Sequence, residues 1–367
     1  MPFEIIRNED LSKEQLEVLN RTAYSDLVVE GGPGTGKTSL AVMRARRFFP
    51  QSTVLVLVYN RPLMLYLQSA LQANTGWGFN ADTYHNWLGD FYRNTFGCSY
   101  PCLDKFEPDW EKIEPQMTVL GKKYQQIIID EGQDFPLPLL RILRSLTNHI
   151  TVFIDPMQAM EDSKTKTEEA AAILHAPVLR LTTNYRSTEE ITEFSNLFRS
   201  EGEVLPNKMS DGEFPVIAHC ANYEKQTKKI VEIIVGNSSK EIGIIANAHS
   251  VKHLYGELSE HIGKQFNIQY YLSQQDNNLD FDVPAVRIVT YGTMKGLEFD
   301  VVILPRFTRV RTTGDDVADM NRLHVATSRA KEKLYLLCFY ESADKEGYIN
   351  TIAPLAGRTD LYYIADL

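Results

Sequence analysis

Cysteine is scarce in these 367 residues, four in all, which is too few for the disulfide framework that holds small secreted domains together. Cys98 and Cys102 lie close together while Cys220 and Cys338 are remote, so the spacing of a four-cysteine metal site is missing and all four read as reduced thiols. No apolar run approaches the ~20 residues needed to span a bilayer. The start, Met1-Pro2-Phe3-Glu4, lacks the basic and apolar regions of a secretory leader. A membrane is therefore not an expected partner, and the expected location is the cytoplasm. Basic charge is in deficit as well: 38 Lys and Arg against 48 Asp and Glu give a formal net charge of −10. Without a global basic surface, any contact with nucleic acid must be a local stripe. Low-complexity linkers and internal repeats are also missing.

What the chain does have is 43% hydrophobic residues and a length that suggests two or three domains. Short apolar strands alternate with helical segments. They fall at Leu27 to Val29, Val54 to Val58, Ile127 to Ile129, Val152 to Ile154 and Val178 to Leu181, then at Ile242 to Ile245, Val286 to Val289, Val301 to Leu304 and Leu334 to Leu337. Unbroken β-branched and leucine runs between helices predict α/β architecture, with parallel sheets covered on both faces. The break falls near Thr183, giving a first domain over 1–182 and a second over 183–367. Just after it, Ser187-Thr188-Glu189-Glu190 supplies a helix-capping box.

Gly31-Gly32-Pro33-Gly34-Thr35-Gly36-Lys37-Thr38 fits the phosphate-loop pattern G-x-x-x-x-G-K-[ST]. A strand-like segment leads in, and a helical one from Ser39 to Phe49 leads out. An ordinary glycine-rich turn would not explain all eight positions together with both flanks. The glycines let successive N–H groups point inward, and the following helix offers its positive dipole end to the same anion. Gly32, Pro33, Gly34, Thr35, Gly36, Lys37, Thr38 and Ser39 are therefore candidate contacts to a triphosphate. Lys37 would reach the β- and γ-phosphates, and the Thr38 hydroxyl would hold Mg²⁺.

The strand Gln126 to Ile129 ends in Asp130-Glu131-Gly132-Gln133-Asp134. A carboxylate at the carboxyl end of a parallel strand beside the loop suits Mg²⁺, and its neighbour can orient and deprotonate a water. Asp130 is assigned to the metal and Glu131 to the base.

These runs, with Asn184-Tyr185-Arg186-Ser187, Lys295-Gly296-Leu297-Glu298-Phe299-Asp300 and Val325-Ala326-Thr327-Ser328-Arg329-Ala330, stand in the order found in superfamily 1 helicases. The chain resembles the UvrD/Rep type. Thr83-Tyr84-His85 and Asp155-Pro156-Met157-Gln158 fill two more family motifs between them. The resemblance implies two RecA-like parallel-sheet domains of the P-loop NTPase kind, with ATP in the cleft between them and single-stranded DNA, or RNA, across the top. It implies that Arg186 and Arg329 offset charge on the transferring phosphoryl group, that Gln158 senses the γ-phosphate, and that Glu298 touches the ribose. Asn60, Arg61, Thr83, Tyr84 and His85 take family positions for strand contact. The run Arg306-Phe307-Thr308-Arg309-Val310-Arg311 is a further candidate, from its charge and aromatic alone.

Gln15 has two readings. A glutamine upstream of the phosphate loop reads the adenine edge in the family, since a carboxamide supplies both donor and acceptor. Ser12-Lys13-Glu14-Gln15 is equally a capping box. Adenine recognition is the favoured expectation.

Two departures from the family stand out. Ala159-Met160-Glu161-Asp162 follows Gln158 where relatives carry aromatics. The large accessory subdomains are reduced to stubs; the first, about 86–124, has aromatics Trp87, Phe91, Tyr92, Phe96 and Tyr100 that read as a small satellite core. The expectation is an ATP-driven motor on single strands that works with a protein partner. A regulatory nucleotide switch in repair or antiphage defence is the alternative.

Overall fold

The computed structural model describes residues 8–21, 25–48, 53–75, 80–104, 107–156, 165–199, 211–307, 316–339, 355, 358 and 360–366. The chain divides into two compact units, Pro2–Thr182 and Thr183–Leu367.

The first unit is built on six strands: β1 (Leu27–Gly31), β2 (Val54–Val58), β3 (Asn80–Thr83), β4 (Tyr124–Ile129), β5 (Thr147–Ile154) and β6 (Val178–Leu181). They lie in the order β3-β2-β4-β5-β1-β6, and every pairing is parallel. Alternate residues of each strand feed opposite faces, as the period of two requires. Val28, Leu55, Leu57, Ile127, Ile129 and Val152 face one core, together with Leu139, Leu140 and Leu143 of the helix Leu137–Leu146. Leu27, Val29, Val56, Ile128 and Phe153 face the other, against Leu40 and Ala41 of helix Lys37–Phe48 and Leu63 and Leu67 of helix Arg61–Thr75. Both faces are thus dry, which is why the strands read as continuous apolar runs. Each fully buried Leu, Ile or Val contributes about 1.5–3 kcal/mol relative to exposure.

The segment around 86–124 contributes most of the helix Tyr84–Phe96 and the helix Trp110–Thr118. Its aromatics do not form a satellite. Trp87 and Tyr92 are buried in the same cluster as Ile127 and Leu139, with Phe91, Phe96 and Tyr100 packed against them. The first helix lies directly over the sheet, so the aromatic side chains extend the main core instead of starting a second one.

The second unit holds eight strands: β7 (Val216–Cys220), β8 (Ile242–Ala246), β9 (Ile268–Ser273), β10 (Asp276–Asn277), β11 (Val286–Thr290), β12 (Phe299–Pro305), β13 (Ala330–Phe339) and β14 (Tyr363–Asp366). Their order is β10-β9-β11-β8-β12-β13-β7-β14, with only the β10–β9 pair antiparallel. Gly243 lets β8 lie close to β12: a Cβ there would sit 2.2 Å from the Phe299 ring. The capping box expected at Ser187 does not form, and the N-cap falls one residue later. Thr188 is the N-cap of helix Glu189–Asn196, its hydroxyl accepting from the Ile191 amide. Ser187 instead donates to the Ala330 carbonyl at 2.6 Å, and Glu190 accepts from the Gly212 amide at 2.7 Å. Tertiary partners thus took the side chains that local spacing assigned to the cap.

Candidate nucleotide site

β1 ends at Gly31, and the chain turns through Gly34 (φ 76°) and Gly36 (φ 87°) before a helix opens at Lys37. Only glycine visits this left-handed region without strain. The helix begins two residues earlier than the sequence suggests, which puts Lys37 and Thr38 in its first turn. Gly31 has a different constraint, since a Cβ on it would meet the Thr35 hydroxyl at 2.5 Å. That hydroxyl donates to the Gly32 carbonyl at 2.9 Å and closes the loop. The Lys37 ammonium is buried and donates to the carbonyls of Gly31 (2.8 Å) and Gly32 (2.9 Å) and to Asp155 Oδ2 (2.9 Å).

Gln15 joins the same loop and is buried. Its Oε1 accepts from the Ser12 amide at 2.9 Å while Ser12 Oγ accepts from its own amide, so the capping box is complete. Its Nε2 donates to the Thr35 carbonyl at 3.1 Å. Both atoms that adenine recognition would use are engaged within the chain.

The carboxylates arrive from β4. This strand is not beside β1, because β5 lies between them. Asp130 nevertheless reaches across: its Oδ2 accepts from the Thr38 hydroxyl at 2.7 Å and its Oδ1 from the Glu131 amide at 3.1 Å. Asp130 is fully buried, and its carboxyl is pushed up to about 7, first by that burial and then by the neighbouring Glu131 charge. Glu131 is buried with φ 57° and ψ 43°. A non-glycine residue in this region costs of order 1–3 kcal/mol and persists where its surroundings over-determine it.

Two polar residues not among the assigned site residues complete this centre. Gln133 donates from Nε2 to Glu131 Oε2 at 2.5 Å and accepts the Asp155 amide on Oε1 at 3.0 Å. Asp155, at the end of β5, also pairs with Lys37. Both stand inside the quoted motif runs, and a polar residue at the exit of an apolar strand was the available signal. Thr38 and Asp130 are hard oxygen donors, the type Mg²⁺ takes, so the pair fits that ion. Among the described residues, no group of three or more His, Cys, Asp or Glu forms a metal cluster. Gln158 lies outside the described residues.

The second unit gathers another constellation. Arg186 Nη2 donates to Glu298 Oε1 in a short ion pair, and Lys331 stands 3.8 Å from Glu298 Oε2. Burial pushes the Glu298 carboxyl up, but Arg186, Lys331 and Arg329 outweigh it and hold it below its ordinary value. Arg329 is almost fully buried, donating to the Val325 carbonyl (3.0 Å), the Leu297 carbonyl (3.4 Å) and Ser328 Oγ (3.3 Å). Three of the family motifs are thus brought together: Arg186, Glu298 and the Ser328-Arg329 turn.

The strand-contact candidates are more dispersed. Asn60 Oδ1 accepts the Leu63 amide, and Arg61 opens the following helix. Thr83 caps helix Tyr84–Phe96, and buried Tyr84 stacks on exposed His85 with ring centroids 3.7 Å apart. Both rings line a cavity of about 420 Å³ with Trp110, Pro108, Asp104 and Glu107. Phe307 is only 1% exposed and cannot serve as a stacking face for bases. Thr308 to Arg311 lie outside the described residues.

Residues 285–337 match the family model of the UvrD-like helicase C-terminal domain. That stretch of the second unit is similar to the family. The match takes in β11, the Lys295–Asp300 motif, β12 and Arg329, and it supports the resemblance drawn from the ordered motifs. One solved structure with similarity to the chain is the C-terminal domain of a possible DNA helicase from Lactobacillus plantarum WCFS1. It is 22% identical, covering 49% of this chain and 98% of that one, with a TM-score of 0.37. No curated protein sequence matches the chain. Among the described residues, no helix is long and apolar enough to cross a membrane.

Proposed function

We propose that this chain is a motor ATPase of the UvrD/Rep type, hydrolysing ATP to ADP and phosphate in the cytoplasm under stimulation by single-stranded DNA or RNA. The observation that carries this reading is the 2.7 Å hydrogen bond from Thr38 to Asp130, with Glu131 beside it. It joins the phosphate loop to the acidic motif across an intervening strand, and few purposes other than triphosphate chemistry call for that pair.

Each residue then has a task. The backbone N–H groups between Gly32 and Ser39, of which Pro33 has none, cradle the phosphates. Lys37 exchanges Asp155 for a phosphate oxygen. Thr38 and Asp130 hold Mg²⁺, which when bound offsets charge on the β- and γ-oxygens. Glu131 orients the attacking water and takes its proton. In this reading both units are RecA-like and take ATP between them, so that Arg186 and Arg329 offset the charge that builds during transfer. The Arg186–Glu298 pair would then open, freeing Glu298 for the ribose. The reduced insertions leave duplex separation to a protein partner.

A second reading, the regulatory switch, is favoured by one observation. The cavity at Tyr84 and His85 carries Asp104 and Glu107, which repel a phosphodiester backbone. ATP turnover with and without single-stranded DNA, followed by displacement of an annealed strand, decides between them. Stimulation supports the motor; turnover indifferent to polynucleotide supports the switch.

A further inference from the structure

Glu131 stands in a conformation its own backbone disfavours, so something must hold it there. Its carboxylate is buried, and among the described residues the Gln133 carboxamide donates to it at 2.5 Å. Gln133 is itself buried, 1% exposed, and its other end is fixed by the Asp155 amide at the close of β5. The intervening residue leaves no slack. A Cβ on Gly132 would meet Val152 Cγ1 at 2.4 Å and the Phe153 carbonyl at 3.0 Å, so the turn lies flat against β5.

We propose that Gln133 is the positioning residue for the Glu131 base. It sets the carboxylate against the end of β5, where Asp155 holds Lys37 until the ammonium exchanges it for a phosphate oxygen. The inference rests on the ATPase reading above. Its physical basis is that a base misplaced by about 1 Å costs on the order of 100-fold in rate while ground-state binding is spared. Gln133 touches neither phosphate nor water in this scheme. It acts only through Glu131.

That dependence is testable by a double-mutant cycle. Gln133→Leu removes both hydrogen bonds at similar volume, and the expected result is a fall in kcat of about 10- to 100-fold. The affinity for a fluorescent ATP analogue should stay within about threefold, which also reports that the variant is folded. On a Glu131→Gln background, the same change should produce little further loss, because the group it positions no longer acts as a base. Gln133→Glu keeps the acceptor for the Asp155 amide but not the donor, and it should be as slow as Gln133→Leu.

Four outcomes are decisive. Non-additive losses with retained affinity support the assignment. Equal losses on both backgrounds overturn it while leaving the ATPase reading intact. Recovery of turnover by Gln133→Glu would overturn it in favour of a tie to β5 alone. If Glu131→Gln itself turns over ATP normally, the assignment falls together with the reading it rests on.

Discussion

Gly132→Ala tests the packing of the acidic turn most sharply. The added methyl lies 2.4 Å from Val152 Cγ1, 3.0 Å from the Phe153 carbonyl and 3.2 Å from Ile154 Cγ1. Val152 is fully buried and branched at Cβ, so it cannot swing aside, and the carbonyl belongs to a central strand paired on both sides. Either the turn lifts or β5 shifts. Overpacking of this kind costs about 1–3 kcal/mol. For a unit of this size that lowers the melting temperature by about 2 to 12 °C. Gly89→Ala in the same unit is the control. Its Cβ would stand 3.8 Å from the Tyr100 ring, an ordinary contact, on a helix where alanine gains about 0.5–1 kcal/mol over glycine. Thermal unfolding of the two variants should therefore move in opposite directions, and turnover should fall only in Gly132→Ala. An unchanged melting temperature in Gly132→Ala would refute the claim that the acidic turn is pressed against β5.

Three further perturbations discriminate among the assigned roles. Because Asp130 is raised to about 7 and Mg²⁺ needs the anion, the Mg²⁺ concentration for half-maximal turnover should rise as pH falls below that value, by up to about tenfold per unit; a Mg²⁺ requirement indifferent to pH would remove Asp130 from the metal. Arg329→Ala takes the guanidinium donor from the buried Leu297 carbonyl, while the Val325 carbonyl keeps the Ser328 hydroxyl, so a stability loss of about 1–3 kcal/mol should accompany the fall in kcat. Lost stability with unchanged turnover would make Arg329 a purely structural residue. For Gln15→Ala, whose carboxamide is engaged at both ends, ATP and GTP affinities should weaken by the same factor; a loss confined to ATP would place the side chain on adenine.

The strands were legible because buried parallel strands have no polar face to confuse the pattern. Every apolar run picked out, from Leu27 to Leu337, lies in a strand. The phosphate loop was legible for a similar reason, since its backbone conformation demands glycine at Gly34 and Gly36. What stayed hidden depends on long-range partners. Nothing local in Ser187 or Glu190 indicates Ala330 or Gly212 as partners, so the N-cap falls one residue later than the spacing suggests and no capping box forms. Strand order was hidden too, so β5 between the loop strand and the acidic strand came only with the sheet. Phe307 next to arginines reads as a stacking platform, but the apolar interior at the end of β12 takes the ring.

The most direct test of the central claim is phosphate release from ATP, titrated with single-stranded DNA, for the unaltered chain and for Glu131→Gln side by side. The account predicts release that rises with the strand in the first and falls by roughly 10²–10⁴ in the second, with the ATP analogue still bound. Equal release from both proteins, or none from the unaltered chain at any strand concentration, would contradict it.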